Sequence, residues 1–456
     1  MNRIITGLLA SATLALPASI LVAAPDPIQT ALESDTVALS ITEGLTTWVG
    51  PRQAGTEAEA RARVWAKAEL TRLGFAKVRI ETFDMPTWVR GEEQAKITAP
   101  VPVKLAITAL GNSGATPAEG IEADVVYFAS LADLEAAPDT AVQGKIAFVS
   151  HAMKATQDGS SYGYFGQVRR RGPEVASKKG AAAIVIRSIG TDYHRNPHTG
   201  NTNFSEGVTA IPAAAISIPD AENLERLIAG GKPMRMKLLL TPQNIGMQQS
   251  GNVIAEVLGK DPSLPPIVIA CHLDSWDLAT GAMDDAAGCG IITAAAKIVM
   301  DAGKPQRTIR LLWAGAEEVG IWGGKDYAVK NGSIRHSLAM ESDFGADRVW
   351  RVKFNLPESA KPLREKLVVE LAKIGVGASA DKAGGGADVG AIIAAQNLAV
   401  IDLDQDGTRY FDLHHTPDDT FDKIDPAQMR QNVAAWVAVL SQVANYTDDL
   451  TMAAKP

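Results

Sequence analysis

"PPIVIACHLDSWDLATGAMDDAAGCGIITAAAKIVM", residues 265–300, decides the fold. Ile267 to Cys271 is an unbroken apolar run, the signature of a strand covered on both faces. A polar stretch carrying His272, Asp274, Asp284 and Asp285 follows, and from Ala286 onward apolar residues recur at helical spacing. Strand, polar loop, helix is the unit from which parallel sheets are built, and polar residues at the exit of a buried strand are where such sheets keep their chemistry.

Working outward, the same rhythm fills the C-terminal half. "NVIAEVLG", "TIRLLWAG", "LAMESD" and "LAVIDLD" read as strands, and "DPAQMRQNVAAWVAVLSQVANY" reads as a long amphipathic helix. The expected fold class is therefore α/β, a mostly parallel sheet flanked by helices. Near the start, "GTEAEARARVWAKAELTRLGF" has Thr56 and Glu59 at capping-box spacing and Gly74 placed to end the helix, with the strand "KVRIETF" after it.

Between about 118 and 246 the texture changes to short strands, "DVVYFAS", "GKIAFVS", "AAAIVIRS" and "IPAAAISI", separated by glycine-rich and proline-rich turns. No cluster of catalytic residue types appears there. At 456 residues two domains are expected. The assignment is a discontinuous α/β domain at 25–117 and 247–456, with a smaller β-rich module inserted at 118–246. "MNRIITGLLASATLALPASILVAAPDP" has a basic start, an apolar run and small residues at Ala23 and Ala24, the layout of an export signal over 1–24. Periplasmic or secreted localisation follows from it.

A net charge of −8 argues against nucleic acid or an anionic membrane as the main partner. The one dense basic spot, Arg169-Arg170-Arg171, reads as a solvated helix face. The two cysteines, Cys271 and Cys289, read as small buried hydrophobes in place of a bridge or a ligand pair.

Acids and imidazoles recur at each strand exit. His272 and Asp274 follow the first strand, Asp284 and Asp285 start the next helix, Glu317 and Glu318 follow "RLLWAGA", Asp343 follows "SLAME", and His414 and His415 sit in "YFDLHHTPDDTFDKID". Each motif alone is weak. Together, in this order on one sheet edge, they point to a divalent metal site and not to a serine or thiol nucleophile. Two zinc ions sharing one carboxylate need two imidazoles and three acids, which with a bridging hydroxide balance the charge, while one further acid stays free as a base.

The order HLDSWD, GAMDDAAG, GAEEVG, MESDFG, HHTPDDT resembles that of the di-zinc exopeptidases of metallopeptidase clan MH, which include leucyl aminopeptidases and glutamate carboxypeptidases. The wording around HLDSWD is most similar to the plasma glutamate carboxypeptidase branch, and the inserted module resembles a protease-associated domain. The resemblance implies a zinc exopeptidase fold and two Zn²⁺ ions as cofactors. His272 and Asp343 would hold one ion, Glu318 and His415 the other, and Asp284 would bridge them. Glu317 would be the general base for a metal-bridging water, and the Asp274 carboxylate would orient the imidazole of His272. The choice of His415 over His414 follows the family's spacing to Asp419-Thr420. A cis peptide between Asp284 and Asp285 and a homodimer are implied as well.

The implied reaction is hydrolysis of a terminal peptide bond in dipeptides or short peptides. Carboxypeptidase action would need a cation for the terminal carboxylate, and Arg409, with Tyr410 beside it, lies close along the chain to the histidines. His414 is a pocket candidate, and Asp388 sits in "AGGGADVGAI", a glycine-rich loop that the family places beside the substrate. Aminopeptidase action stays open at this stage. Two rivals are a metal-free binding protein of the same fold, against which the complete ligand set argues, and a single-zinc aminoacyl cyclase.

Overall fold

The computed structural model describes residues 26–453; the expected export signal at 1–24 lies outside them. Among the described residues no helix is long and apolar enough to cross a membrane.

Two eight-stranded sheets form the frame. Across the first, the strands run Ala76–Val89, Gln243–Val257, Ile309–Ala314, Ile267–His272, Leu338–Glu341, Ala399–Gln405, Val349–Asn355 and Gly377–Ala378. The third to the sixth of these run parallel, and antiparallel strands cover them at both sides. The apolar run at 267–271 explains the central position of its strand. Ile267, Ile269 and Cys271 pack into the larger core on one face, where the helices Ala287–Asp301 and Pro426–Val443 lie. Val268 and Ala270 face the other side, against Tyr327, Val389 and Ile392 of the helices Trp322–Asn331 and Ala387–Gln396. Both faces are buried, so the strand needs no alternation.

The helix expected after Thr56 spans Glu57–Arg72, with the Thr56 hydroxyl accepting from the Glu59 amide. Glu59 itself is buried, paired with Arg63 at 3.1 Å and accepting from Ser250 at 3.0 Å. Burial outweighs those contacts and pushes its carboxyl up to about 7.

The second sheet holds Ile121–Phe128, Ile146–Val149, Ala183–Arg187 and Ala213–Ile216, all at the expected places. It begins earlier than 118, because Glu93–Ala99, Val103–Leu105 and Ile107–Ala109 belong to it, and Arg235–Leu240 lies between Glu93–Ala99 and Ile121–Phe128. Those early strands are short and partly exposed, so their pattern carried little signal. The joint with the first sheet is polar and aromatic. Arg90 makes paired bonds to Asp277 at 2.7 and 2.9 Å, and Trp88 meets Trp276 edge-on.

Cys271 and Cys289 form a disulfide, a correction to their reading as separate apolar residues. The end of a strand and the first turn of the helix that follows lie against each other, placing the two Cα atoms 5.1 Å apart, within bridging reach. The bridge closes the loop that contains His272 to Asp285. Cys289→Ser should destabilise the fold by roughly 3 kcal/mol, the cost of releasing a closed loop of this length, measured as a lower midpoint in urea.

Candidate metal centre

Every strand exit named above opens on one edge of the first sheet. His272 ends its strand, opposite Ala314 of the neighbour that leads into Glu317 and Glu318. Asp343 lies just beyond Leu338–Glu341, and His414 and His415 follow the short helix Tyr410–Leu413. Asp284 sits inside the disulfide-closed loop, shortly before the helix Ala287–Asp301. The Asp284–Asp285 peptide is cis.

One carboxylate lies at the middle of the cluster. Asp284 Oδ1 is 2.9 Å from His272 Nε2, and its Oδ2 is 3.2 Å from His415 Nε2. Each imidazole then meets a different acid, His272 with Asp343 at 3.3 Å and His415 with Glu318 at 3.0 Å. His414 lies 3.6 Å from Asp284, touches no second acid, and stacks on His415 with ring centroids 3.5 Å apart. His415, the histidine expected from the spacing, thus meets two acids, and His414 one.

The electrostatics are those of a site that holds cations. Burial disfavours a charged His272, yet Asp343 and Asp284 overturn it and hold the imidazole well above its ordinary value. Burial disfavours a charged Asp284 too, but hydrogen bonds from His272 and His415 hold it well below the usual carboxylate range. Protons thus sit where metal ions would compete for the same lone pairs. Glu317 is pushed well up, by burial first and then by Asp343.

Asp274 departs from its expected role. The proton on His272 Nδ1 is taken by the backbone carbonyl of Asp274, at 3.0 Å, while the carboxylate is 3.9 Å away. That carboxylate instead accepts from the amides of Glu317 at 3.0 Å and Glu318 at 3.3 Å. It fixes the turn on which both glutamates are displayed.

Other residues shape the cluster without having been expected to hold a metal or act on substrate. Asp419 accepts from the amides of Met283 at 2.6 Å and Asp284 at 3.2 Å, and Asp285 accepts from those of His272 and Gly288, both at 3.1 Å. Gly288 is required here, since a Cβ would stand 2.2 Å from that carboxylate. Arg52, fully buried, donates to the carbonyls of Leu273 at 2.6 Å and Gly281 at 2.8 Å, and also to that of Thr280. "DDT" carried a trace of Asp419; no local pattern marks Arg52.

A cavity of about 470 Å³ opens over the cluster. Asp284, Glu317, Glu318 and Asp343 form its floor. The second sheet's segment also lines it, with Tyr162, Arg169, Arg170, Asn201 and Asn203, as does Lys325. The segment expected to lack chemical residues thus supplies one side of the site. Of the basic triplet, Arg171 is exposed as expected, Arg170 is half-buried, and Arg169 is only 5% exposed, so Arg169 departs from the solvated face that was expected.

The four expected pocket residues divide. Tyr410 and His414 line the cavity. Arg409 does not: its Nε and Nη2 donate to the two oxygens of Asp347, each at 2.6 Å, and Nη2 also donates to the Lys423 carbonyl. Nearness along the chain misled, because a bidentate acid had already claimed the guanidinium. Asp388 is fully buried behind the glycine loop, whose residues Gly384 to Ala387 line a neighbouring cavity of about 390 Å³. Gly386 has φ +135° and no room for a Cβ, which would meet the Glu341 carboxylate at 2.5 Å. That carboxylate caps the helix Ala387–Gln396 through the amides of Ala387 and Val389.

The sequence matches the family described as "Peptidase family M28" over residues 252–440. Carboxypeptidase Q of Bos taurus is 34% identical over 406 residues, covering 88% of this chain and 84% of that protein. The Homo sapiens protein of the same name is 33% identical over 405 residues with the same coverage. Among solved structures, the Peptidase M28 precursor from Shewanella amazonensis superposes with TM-score 0.91 at 43% identity, covering 94% of this chain and 98% of that one. A zinc aminopeptidase from Bacillus subtilis shares the fold, with TM-score 0.64 at 20% identity over 89% of this chain and 94% of its own.

Proposed function

The chain belongs to peptidase family M28 and is a zinc metallopeptidase; on that premise we propose that it is an exported di-zinc exopeptidase releasing the C-terminal residue of dipeptides and short peptides. One observation carries the two-ion reading. Asp284 turns its two oxygens to two different imidazoles, and each imidazole is met by its own second acid. That is the donor arrangement of two ions sharing a carboxylate.

The donors fit zinc, which takes imidazole nitrogen and carboxylate oxygen. Each ring has Nδ1 committed to a backbone carbonyl, Asp274 for His272 and Thr199 for His415, which leaves Nε2 free for an ion. Glu318 Oε1 is buried with no hydrogen-bond partner among the described residues, as a ligand atom awaiting a cation would be. His272, Asp284 and Asp343 would hold one ion, and Asp284, Glu318 and His415 the other.

Bound there, zinc supplies Lewis acidity to the scissile carbonyl and to the attacking water. Glu317, on the cavity floor and outside both donor sets, takes the proton from that water on a carboxylate oxygen and delivers it to the leaving amine nitrogen. Asp274 keeps Glu317 and Glu318 at fixed separation through their two amides. The Cys271–Cys289 bridge supports export, since disulfides persist in oxidising compartments.

The cationic wall supports C-terminal release. Arg170 donates to the Gly163 carbonyl and Lys325 to the Gly320 carbonyl, and neither pairs with an acid among the described residues. Cations lining the same cavity as the acid and imidazole cluster suit a substrate's terminal carboxylate. Arg170→Ala should raise KM roughly tenfold for peptides with a free C-terminus and leave C-terminally amidated peptides unchanged, read from initial rates. Equal loss on both would remove the carboxylate from this wall. An aminopeptidase reading would use the neighbouring cavity, which shares Asp343 and Phe344 and carries Asp158, whereas its Asp402 and Asp404 are already paired with Lys353 and Arg351.

A further inference from the structure

The second sheet's segment does more than roof the cavity; it reaches behind one of the metal-facing histidines. His415 has positive φ, +61°, so its backbone is held in a conformation that non-glycine residues rarely adopt. The hold comes from Thr199. Its amide donates to the His415 carbonyl at 3.0 Å, and its own carbonyl accepts from His415 Nδ1 at 3.2 Å. Thr199 is fully buried and pinned from its other side: its hydroxyl donates to the Ala109 carbonyl at 2.8 Å and accepts from Arg90 Nη2 at 3.1 Å.

Arg169 completes the arrangement. Its Nη1 donates to the same Thr199 carbonyl at 3.1 Å and stands 3.4 Å from His415 Nδ1, while Nη2 donates to the Tyr162 hydroxyl at 2.6 Å. It is a buried guanidinium that has no acid partner, and whose Nε has no hydrogen-bond partner, among the described residues. A cation in that position needs a reason. The chain keeps space for it, since at Gly200, φ +132°, a Cβ would stand 2.3 Å from Arg169 Nη1.

The tautomer settles what the contact does. Nε2 of His415 faces Asp284 and Glu318, so an ion bound there leaves the ring proton on Nδ1. Nδ1 is then a donor and cannot accept from Arg169. Both groups must donate to one acceptor, the Thr199 carbonyl, whose two lone pairs they fill.

We propose that Arg169 is a positioning residue for the zinc held by Glu318 and His415, acting through the Thr199 carbonyl, so that the second sheet's segment builds the outer shell of one of the two metal sites. The inference rests on the two-zinc reading above. Residues that orient a metal-bound imidazole typically change affinity by about 10- to 100-fold when removed. Arg169 touches neither the ion nor the reacting atoms, so its effect should appear in metal binding.

The test is zinc titration of the full-length mature protein against a chromophoric chelator, with melting of the zinc-free protein measured alongside. Wild type should bind two ions per chain; one or none would overturn the two-zinc reading before Arg169 is tested. Arg169→Ala should weaken one ion roughly tenfold or more and leave the other as in wild type. Arg169→Lys, which can still reach the Thr199 carbonyl, should recover part of the loss. Tyr162→Phe, which removes only the outer anchor of Nη2, and Gly200→Ala, which crowds the guanidinium, should weaken the same ion and serve if Arg169→Ala does not fold. Unchanged affinity for both ions in the folded variants, with only the melting temperature lowered, would make Arg169 a structural residue and overturn the proposal.

Discussion

Asp284→Asn should strip the protein of bound zinc and abolish peptide hydrolysis while leaving the fold in place. Among the described residues, Asp284 alone pairs with both imidazoles, at 2.9 Å from His272 and 3.2 Å from His415. An amide offers one oxygen and no charge, so both ions lose a ligand and a counter-charge together. Replacing Asp343 or Glu318 should weaken one ion each, because each faces a single imidazole. Elemental analysis after gel filtration should find about two zinc ions in wild type and below about one in the Asp284 variant. Circular dichroism should be unchanged, since the loop around position 284 is also held by Asp419, by Arg52 and by the disulfide.

Glu317→Gln should do the reverse. Zinc content stays at the wild-type level, because Glu317 belongs to neither donor set, while kcat falls by roughly 10²- to 10⁴-fold, the range for losing a general base. KM should change little, since the lost interaction belongs to the transition state. The pH profile supplies a second readout. A base works only when deprotonated, so the wild-type rate falls as pH drops through the Glu317 pKa. Burial and Asp343 push that pKa up, so the limb lies above the ordinary carboxylate range until bound zinc draws it back. The residual activity of the Gln variant should lack this limb. Retained wild-type turnover would move the base elsewhere on the cavity floor.

How much of this was legible along the chain depends on the distance over which each interaction acts. The buried strand at 267–272 and the helix after it announce themselves through local periodicity, and the acids and imidazoles at the strand exits appear in order because a parallel sheet aligns those exits on one edge. Interactions formed by folding were silent. Arg52 reaches carbonyls more than two hundred positions away, and Arg169 meets His415 across the joint between two sheets. Arg409 shows the converse error: close in sequence to the histidines, it is bonded to Asp347. The cysteine pair was misread for the same reason, because whether two apolar thiols meet depends on how a helix docks on its strand.

The most direct measurement is mass spectrometry of a tripeptide with three different residues, free at both ends, incubated with the zinc-loaded protein and, in parallel, with chelator-treated protein. The account predicts that the zinc-loaded protein releases the C-terminal residue, leaving the N-terminal dipeptide as first product, and that chelation stops it. Release of the N-terminal residue first would contradict the cationic wall as the carboxylate site and favour the acidic cavity beside Asp343. A peptide cleaved equally well after chelation would contradict the metal centre itself.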